Sequence, residues 1–174
     1  MNCKEALSDY KINLEVVENK SIRTIESYMY DLNLYLSYLE SNGIDTMEKI
    51  HISDVDDFFN VYMETHSPRS ANRVLSAIKS FHKFTSLNHP AIQNPVLYFH
   101  GFSNGSHLPI YLSVNEIQTI LDSFGNSDLD IYQKTILVTL YSCGLRVSEL
   151  CSLQTKTVHL DQKILKVLGK GNKE

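Results

Sequence analysis

A long central stretch of this chain has no negative charge. No aspartate or glutamate occurs between Glu64 and Glu116, a span that holds Arg69, Arg73, Lys79 and Lys83 along with five histidines. The net charge of −4 argues against a protein that coats nucleic acid generally. The local lack of acid still leaves room for one positive surface. No apolar run reaches the ~18 residues of a membrane span, and no basic-then-apolar start suggests secretion, so no membrane partner is expected. Cys3, Cys143 and Cys151 have no paired metal-type spacing. They read as reduced thiols, and the expected location is cytoplasmic. Low-complexity tracts are missing too, and 43% hydrophobic residues in 174 are enough for one domain or two small ones.

What is present is mostly helical periodicity. Leu7, Tyr10, Leu14 and Val17 suggest a short first helix. Ser21 caps a second, in which Ile25, Tyr28, Met29, Leu32, Tyr35, Leu36 and Leu39 recur every three or four residues until Asn42-Gly43 stops it. Ser53 is expected to cap a third, with Val55, Phe58, Phe59 and Tyr62 facing inward and acids in the first turn. Ser67-Pro68 then opens a helix running to about Thr85. Its Ala71, Val74, Leu75, Ile78 and Phe81 share one side, while Arg69, Arg73, Lys79 and Lys83 share the other. A solvated basic face normally interleaves glutamate for i,i+4 pairing, and this one has none. It therefore reads as a phosphate-tracking surface.

Residues 101–108 read as a flexible linker between residues 1–100 and 109–174. Ser113 and Glu116 then form a capping-box pattern before a short helix, and a longer helix covers about Asp128 to Ser142. Gly144 ends it by taking a left-handed conformation, and another helix starts near Arg146 with Leu145, Leu150 and Leu153 as apolar anchors. Arg146 needs a partner or a ligand; Glu149 and Glu116 are the candidate partners. Val158 to Leu168 changes to strand-like patterning with a turn at Asp161-Gln162, and Gly169-Lys170-Gly171 follows. This is no Walker loop, because Ile164 stands where its first glycine belongs and no helix follows. His66 and Arg69 fit a His-x-x-Arg spacing, but a helix cap with one phosphate-facing arginine explains them better. The tyrosines fall mostly on inner helical faces, where core packing is the default.

The stretch Ser142-Cys143-Gly144-Leu145-Arg146-Val147-Ser148-Glu149-Leu150, with Val167-Leu168-Gly169-Lys170-Gly171 some twenty residues on, resembles the start of a tyrosine recombinase catalytic domain. This is the phage-integrase class, in its Xer-like form. Thr24, Tyr28, Asp31-Leu32, Asn94-Pro95 and Leu108-Pro109 are similar to that family's core-binding domain. The resemblance implies a mainly α fold: a four-helix SAM-like DNA-binding domain, then the helices and β-hairpin that begin a mixed α/β catalytic domain. It implies that Arg146 holds the scissile phosphate, that Lys170 protonates the leaving 5′-oxygen and that Glu149 supports the arginine. A guanidinium suits the first task because its planar fork grips two phosphate oxygens.

The family reaction is attack of a tyrosine hydroxyl on a phosphodiester. The energy stays in the phosphotyrosyl bond, so no nucleotide or metal cofactor is implied. The implied partners are double-stranded DNA and other recombinase protomers. The family's His-x-x-Arg and nucleophilic tyrosine lie beyond the lysine hairpin, whereas here no tyrosine follows Tyr141 and no arginine follows Arg146. The sequence is accordingly expected to be an N-terminal fragment that binds DNA without cleaving it. Whether it serves an enzyme is open on this reading. A non-catalytic DNA-binding or regulatory module derived from a recombinase is the alternative, and a helical protein-interaction domain is a third.

Overall fold

The structure is a computed structural model that describes residues 1–103, 105 and 110–167. It divides into two compact units, Met1–His107 and Leu108–Glu174.

The first unit is a helical bundle of α1 (Cys3–Ile12), α2 (Ile22–Ser41), α3 (Ile52–Met63) and α4 (Pro68–Asn88). α1 runs into a π-helical turn, Asn13–Val17, and Asn19 reverses the chain at a φ of 47°. Asparagine tolerates that region better than most residues. Ser21 then caps α2, its Oγ accepting the Thr24 N–H at 3.3 Å. α3 departs from expectation at its start: it begins at Ile52, and Ser53 lies inside it. His51 is the N-cap, and the Asp54 carboxylate in the first turn accepts its N–H at 2.7 Å, the reach-back half of a capping box. α4 continues three residues past Thr85, to Asn88.

The apolar stripes of the four helices meet in one core. Tyr10 of α1 packs on Phe81 and Phe84 of α4 at ring separations of 5.5 and 5.3 Å, and its hydroxyl bonds Ser80 Oγ at 2.7 Å. Tyr35 of α2 meets Phe58 of α3 edge-on at 5.2 Å. The packed chain extends past residue 100. Asn72 of α4 donates to the Phe102 carbonyl and accepts its N–H, both at 2.8 Å, while the Phe102 ring lies 4.9 Å from Phe59. Gly101 permits this clasp, since a Cβ there would sit 2.8 Å from Asn72 Oδ1. The tyrosine expectation holds only in part. Tyr10, Tyr35 and Tyr62 are buried, but Tyr30, Tyr98, Tyr111, Tyr132 and Tyr141 are exposed.

The second unit contains α5 (Val114–Asp122), α6 (Asp128–Cys143), α7 (Val147–Cys151) and a hairpin of β1 (Val158–His159) and β2 (Ile164–Leu165). Capping boxes start α5 and α6: Glu116 accepts the Ser113 N–H at 2.7 Å, and Asp130 accepts the Ser127 N–H at 3.2 Å. Gly144 ends α6 at a φ of +62°, as expected of a C-terminal glycine. The strands pair antiparallel with Val158 opposite Leu165 and His159 opposite Ile164. Among the described residues of this unit only Ile117 and Glu149 are buried, and α6 buries none of its side chains. Leu145, Leu150 and Leu153 are half-buried.

Candidate functional site

α4 is held in place by its first turn. Ser67 Oγ accepts the Ser70 N–H at 3.3 Å, and Pro68 occupies a position whose missing N–H has no helical partner to lose. With Ala71, Val74, Ile78 and Phe81 buried, the helix can present only its opposite side outward. Arg69, Arg73 and Lys83 are exposed there, and Lys79 is half-buried. Among the described residues no carboxylate pairs with Arg69, Lys79 or Lys83. Lys79 and Lys83 border a shallow groove with Ser86, Leu87, Asn94 and Val96.

Arg73 is different, and here the sequence reading missed a partner. Its Nη1 donates to Asp31 Oδ2 and, at 3.2 Å, to Ser27 Oγ, both from α2. Tyr62 of α3 is within side-chain hydrogen-bonding reach as well. Asp31 sits at the edge of the α2 apolar stripe, the one signal in the sequence that it would turn inward. It is 1% exposed. Burial raises its carboxyl above the usual range, against the opposing pull of the Arg73 hydrogen bond and charge. The acid-free character of α4 is real along the helix itself, but α2 supplies one acid to it.

His66, the other half of the His-x-x-Arg spacing, stacks on the Tyr62 ring at 4.0 Å, and its Nδ1 lies 3.0 Å from the Tyr62 carbonyl. It belongs to the turn before α4.

In the second unit the left-handed Gly144 sends the chain into an extended Arg146, which precedes the first residue of α7. Glu149 grips that residue twice. Its Oε2 accepts the Arg146 N–H at 2.7 Å and its Oε1 accepts from Nη1 at 2.6 Å. The two bonds, the backbone one foremost, hold the Glu149 carboxyl below the usual range. Of the two candidate partners, then, Arg146 takes Glu149, and Glu116 is engaged by its own cap at Ser113. The Arg146 side chain remains 74% exposed. A guanidinium has five donors, so most of this fork is open to an anion. Lys170 lies outside the described residues. Among the described residues no cluster of His, Cys, Asp and Glu is placed to hold a metal ion, and no helix is long and apolar enough to cross a membrane.

Comparison with known proteins follows the same division of the chain. Residues 7–88 match the model described as "Phage integrase, N-terminal SAM-like domain", and residues 110–174 match "Phage integrase family". Tyrosine recombinase XerC of Halalkalibacterium halodurans is 31% identical over 170 residues, covering 97% of this chain and 56% of the relative. Tyrosine recombinase XerD of Oceanobacillus iheyensis is 32% identical over 171 residues, covering 97% and 58%. The chain thus spans somewhat over half the length of these relatives. Among solved structures, an integrase from mycobacterium phage Brujita superposes with a TM-score of 0.50 at 16% identity, over 95% of this chain and 54% of that one. That likeness concerns the fold.

Proposed function

The chain belongs to the phage integrase family of tyrosine recombinases, and from that premise we propose that it binds double-stranded DNA through α4 and serves site-specific strand exchange. The observation that carries this reading is the α4 face, where Arg69, Lys79 and Lys83 have no paired carboxylate among the described residues. Cations left unpaired next to an acid-rich remainder are what a polyanion displaces least and gains most from. Arg69, Arg73, Lys79 and Lys83 are the DNA contacts in this proposal. They position the protein on phosphates, a role that carries no base sequence by itself.

Arg146 is the residue that would hold non-bridging oxygens of the scissile phosphate as negative charge builds there. Glu149 supports it, because one carboxylate fixes both its backbone and its guanidinium. Lys170 is proposed as the proton donor to the leaving 5′-oxygen, on its match to the family motif alone. Other recombinase protomers on the same DNA are the expected protein partners. Residues 1–100 form the DNA-binding domain and residues 109–174 contribute to the catalytic domain, joined by 101–108.

The test is duplex binding measured by fluorescence anisotropy across a salt series. Each phosphate contact contributes ~0.9 to the slope of log K against log salt. Arg69→Ala with Lys83→Ala should therefore lower the slope by about 1.8. A slope equal to that of the unaltered chain would refute the α4 assignment.

A further inference from the structure

The four cations of α4 are not equivalent. Arg69, Lys79 and Lys83 have no ion pair among the described residues, while Arg73 is tied down from the neighbouring helix. The pair that ties it is lopsided: the Asp31 side chain is 1% exposed and the Arg73 side chain 50%. The anion is inside the bundle, and the cation straddles its surface.

A pair built for stability alone would not look like this. Asp31 Oδ1 is buried with no hydrogen-bond partner among the described residues. Leaving a carboxylate oxygen unsatisfied is costly, and a well-packed apolar side chain at such a place commonly does as well or better. The tether also spends little of the arginine. Both contacts to α2 use Nη1, so the donors on Nε and Nη2 are not consumed by Asp31 and Ser27. Arg73 is thus held from α2 through Nη1, with Tyr62 of α3 also in reach, while half its side chain faces outward.

We infer that Asp31 is a positioning residue for DNA binding: from inside the bundle, with Ser27, it holds the Arg73 guanidinium ready for a backbone phosphate. This rests on the reading of α4 as the DNA surface. An arginine ordered in advance loses less rotamer freedom on binding than a free one.

The sign of one substitution separates this from plain electrostatics. Removing a negative charge beside a polyanion site should tighten DNA binding if charge is all that matters. If Asp31 positions Arg73, Asp31→Asn weakens duplex binding instead. The expected loss is about three- to tenfold, the range that ordering one long side chain represents. The salt slope of Asp31→Asn should stay near that of the unaltered chain, because an untethered Arg73 still reaches a phosphate, whereas Arg73→Ala lowers it by ~0.9. The double variant Asp31→Asn/Arg73→Ala should bind no more weakly than Arg73→Ala alone, because two residues acting through one contact are not additive.

Asp31→Asn that binds equally or more tightly overturns the inference, and so does full additivity with Arg73→Ala. If Asp31→Asn fails to fold by circular dichroism, Ser27→Ala replaces it. That variant removes the second Nη1 acceptor, and binding equal to the unaltered chain then overturns the inference. Failure of the underlying reading looks different, since the unaltered chain would show no salt-sensitive duplex binding. A flattened slope in Arg69→Ala/Lys83→Ala with an unaffected Arg73→Ala removes only the role of Asp31.

Discussion

Acidification should destabilise the first unit through one histidine. His82 of α4 is 1% exposed, and the Tyr35 hydroxyl of α2 lies 3.2 Å from its Nε2. Burial pushes its pKa down to about 3. The fold therefore holds His82 neutral, while the unfolded chain protonates it near the ordinary ~6.5. As pH falls below that unfolded value, protons bind the unfolded chain and not the native one, so stability is lost. Between about pH 7.5 and 5 the loss attributable to this residue is ~2 kcal/mol, from RT ln(1 + 10^1.5). That figure depends on the unfolded value and not on how far below about 4 the folded one lies, because native His82 stays neutral at pH 5 in either case. The assay is urea unfolding followed by far-UV circular dichroism at both pH values, for the unaltered chain and for His82→Gln. Other groups titrate alike in the two proteins, so the difference between their pH responses isolates His82. The unaltered chain should lose ~2 kcal/mol more than the variant, a large share of a small domain's stability. Equal losses would refute the argument and mean that water or a compensating charge reaches the ring.

Phe81→Ala removes a fully buried ring that touches Tyr10 and His82, and should cost ~3–5 kcal/mol in the same urea experiment, with Phe81→Leu losing clearly less. Gly144→Ala has no steric obstacle, since a Cβ there would meet nothing within 4 Å, yet φ is +62°. It should cost about 1–2 kcal/mol through the backbone alone, and Gly144→Asn less, read as faster hydrogen exchange at the end of α6. Equal exchange in Gly144→Ala would show that the turn adjusts to another conformation.

The local punctuation of the fold was legible in the sequence because its causes lie within three or four residues of one another. Ser21, Ser67-Pro68, the Ser113–Glu116 box and Gly144 all act on the nearest turn, and the structure places each where its chemistry demands. The one cap misassigned was Ser53: the helix starts two residues earlier, with His51 as its N-cap and the Asp54 carboxylate reaching back to the His51 N–H. The division of α4 into an apolar and a basic side was equally legible, since it follows from helical periodicity. The Arg146–Glu149 pair was one of two the sequence offered, Glu116 being the other, and its members are one helical turn apart.

Tertiary structure decided what those residues face. Asp31 and Arg73 are 42 positions apart, Tyr35 and His82 are 47, and Asn72 and Phe102 are 30. A carboxylate at the edge of an apolar stripe reads as solvated until a second helix closes over it. A histidine on an inner face shows no depressed pKa until the core has removed its water. Only packing brings α2 against α4, and with it the difference between Arg73, which is held, and the three α4 cations that have no ion pair among the described residues.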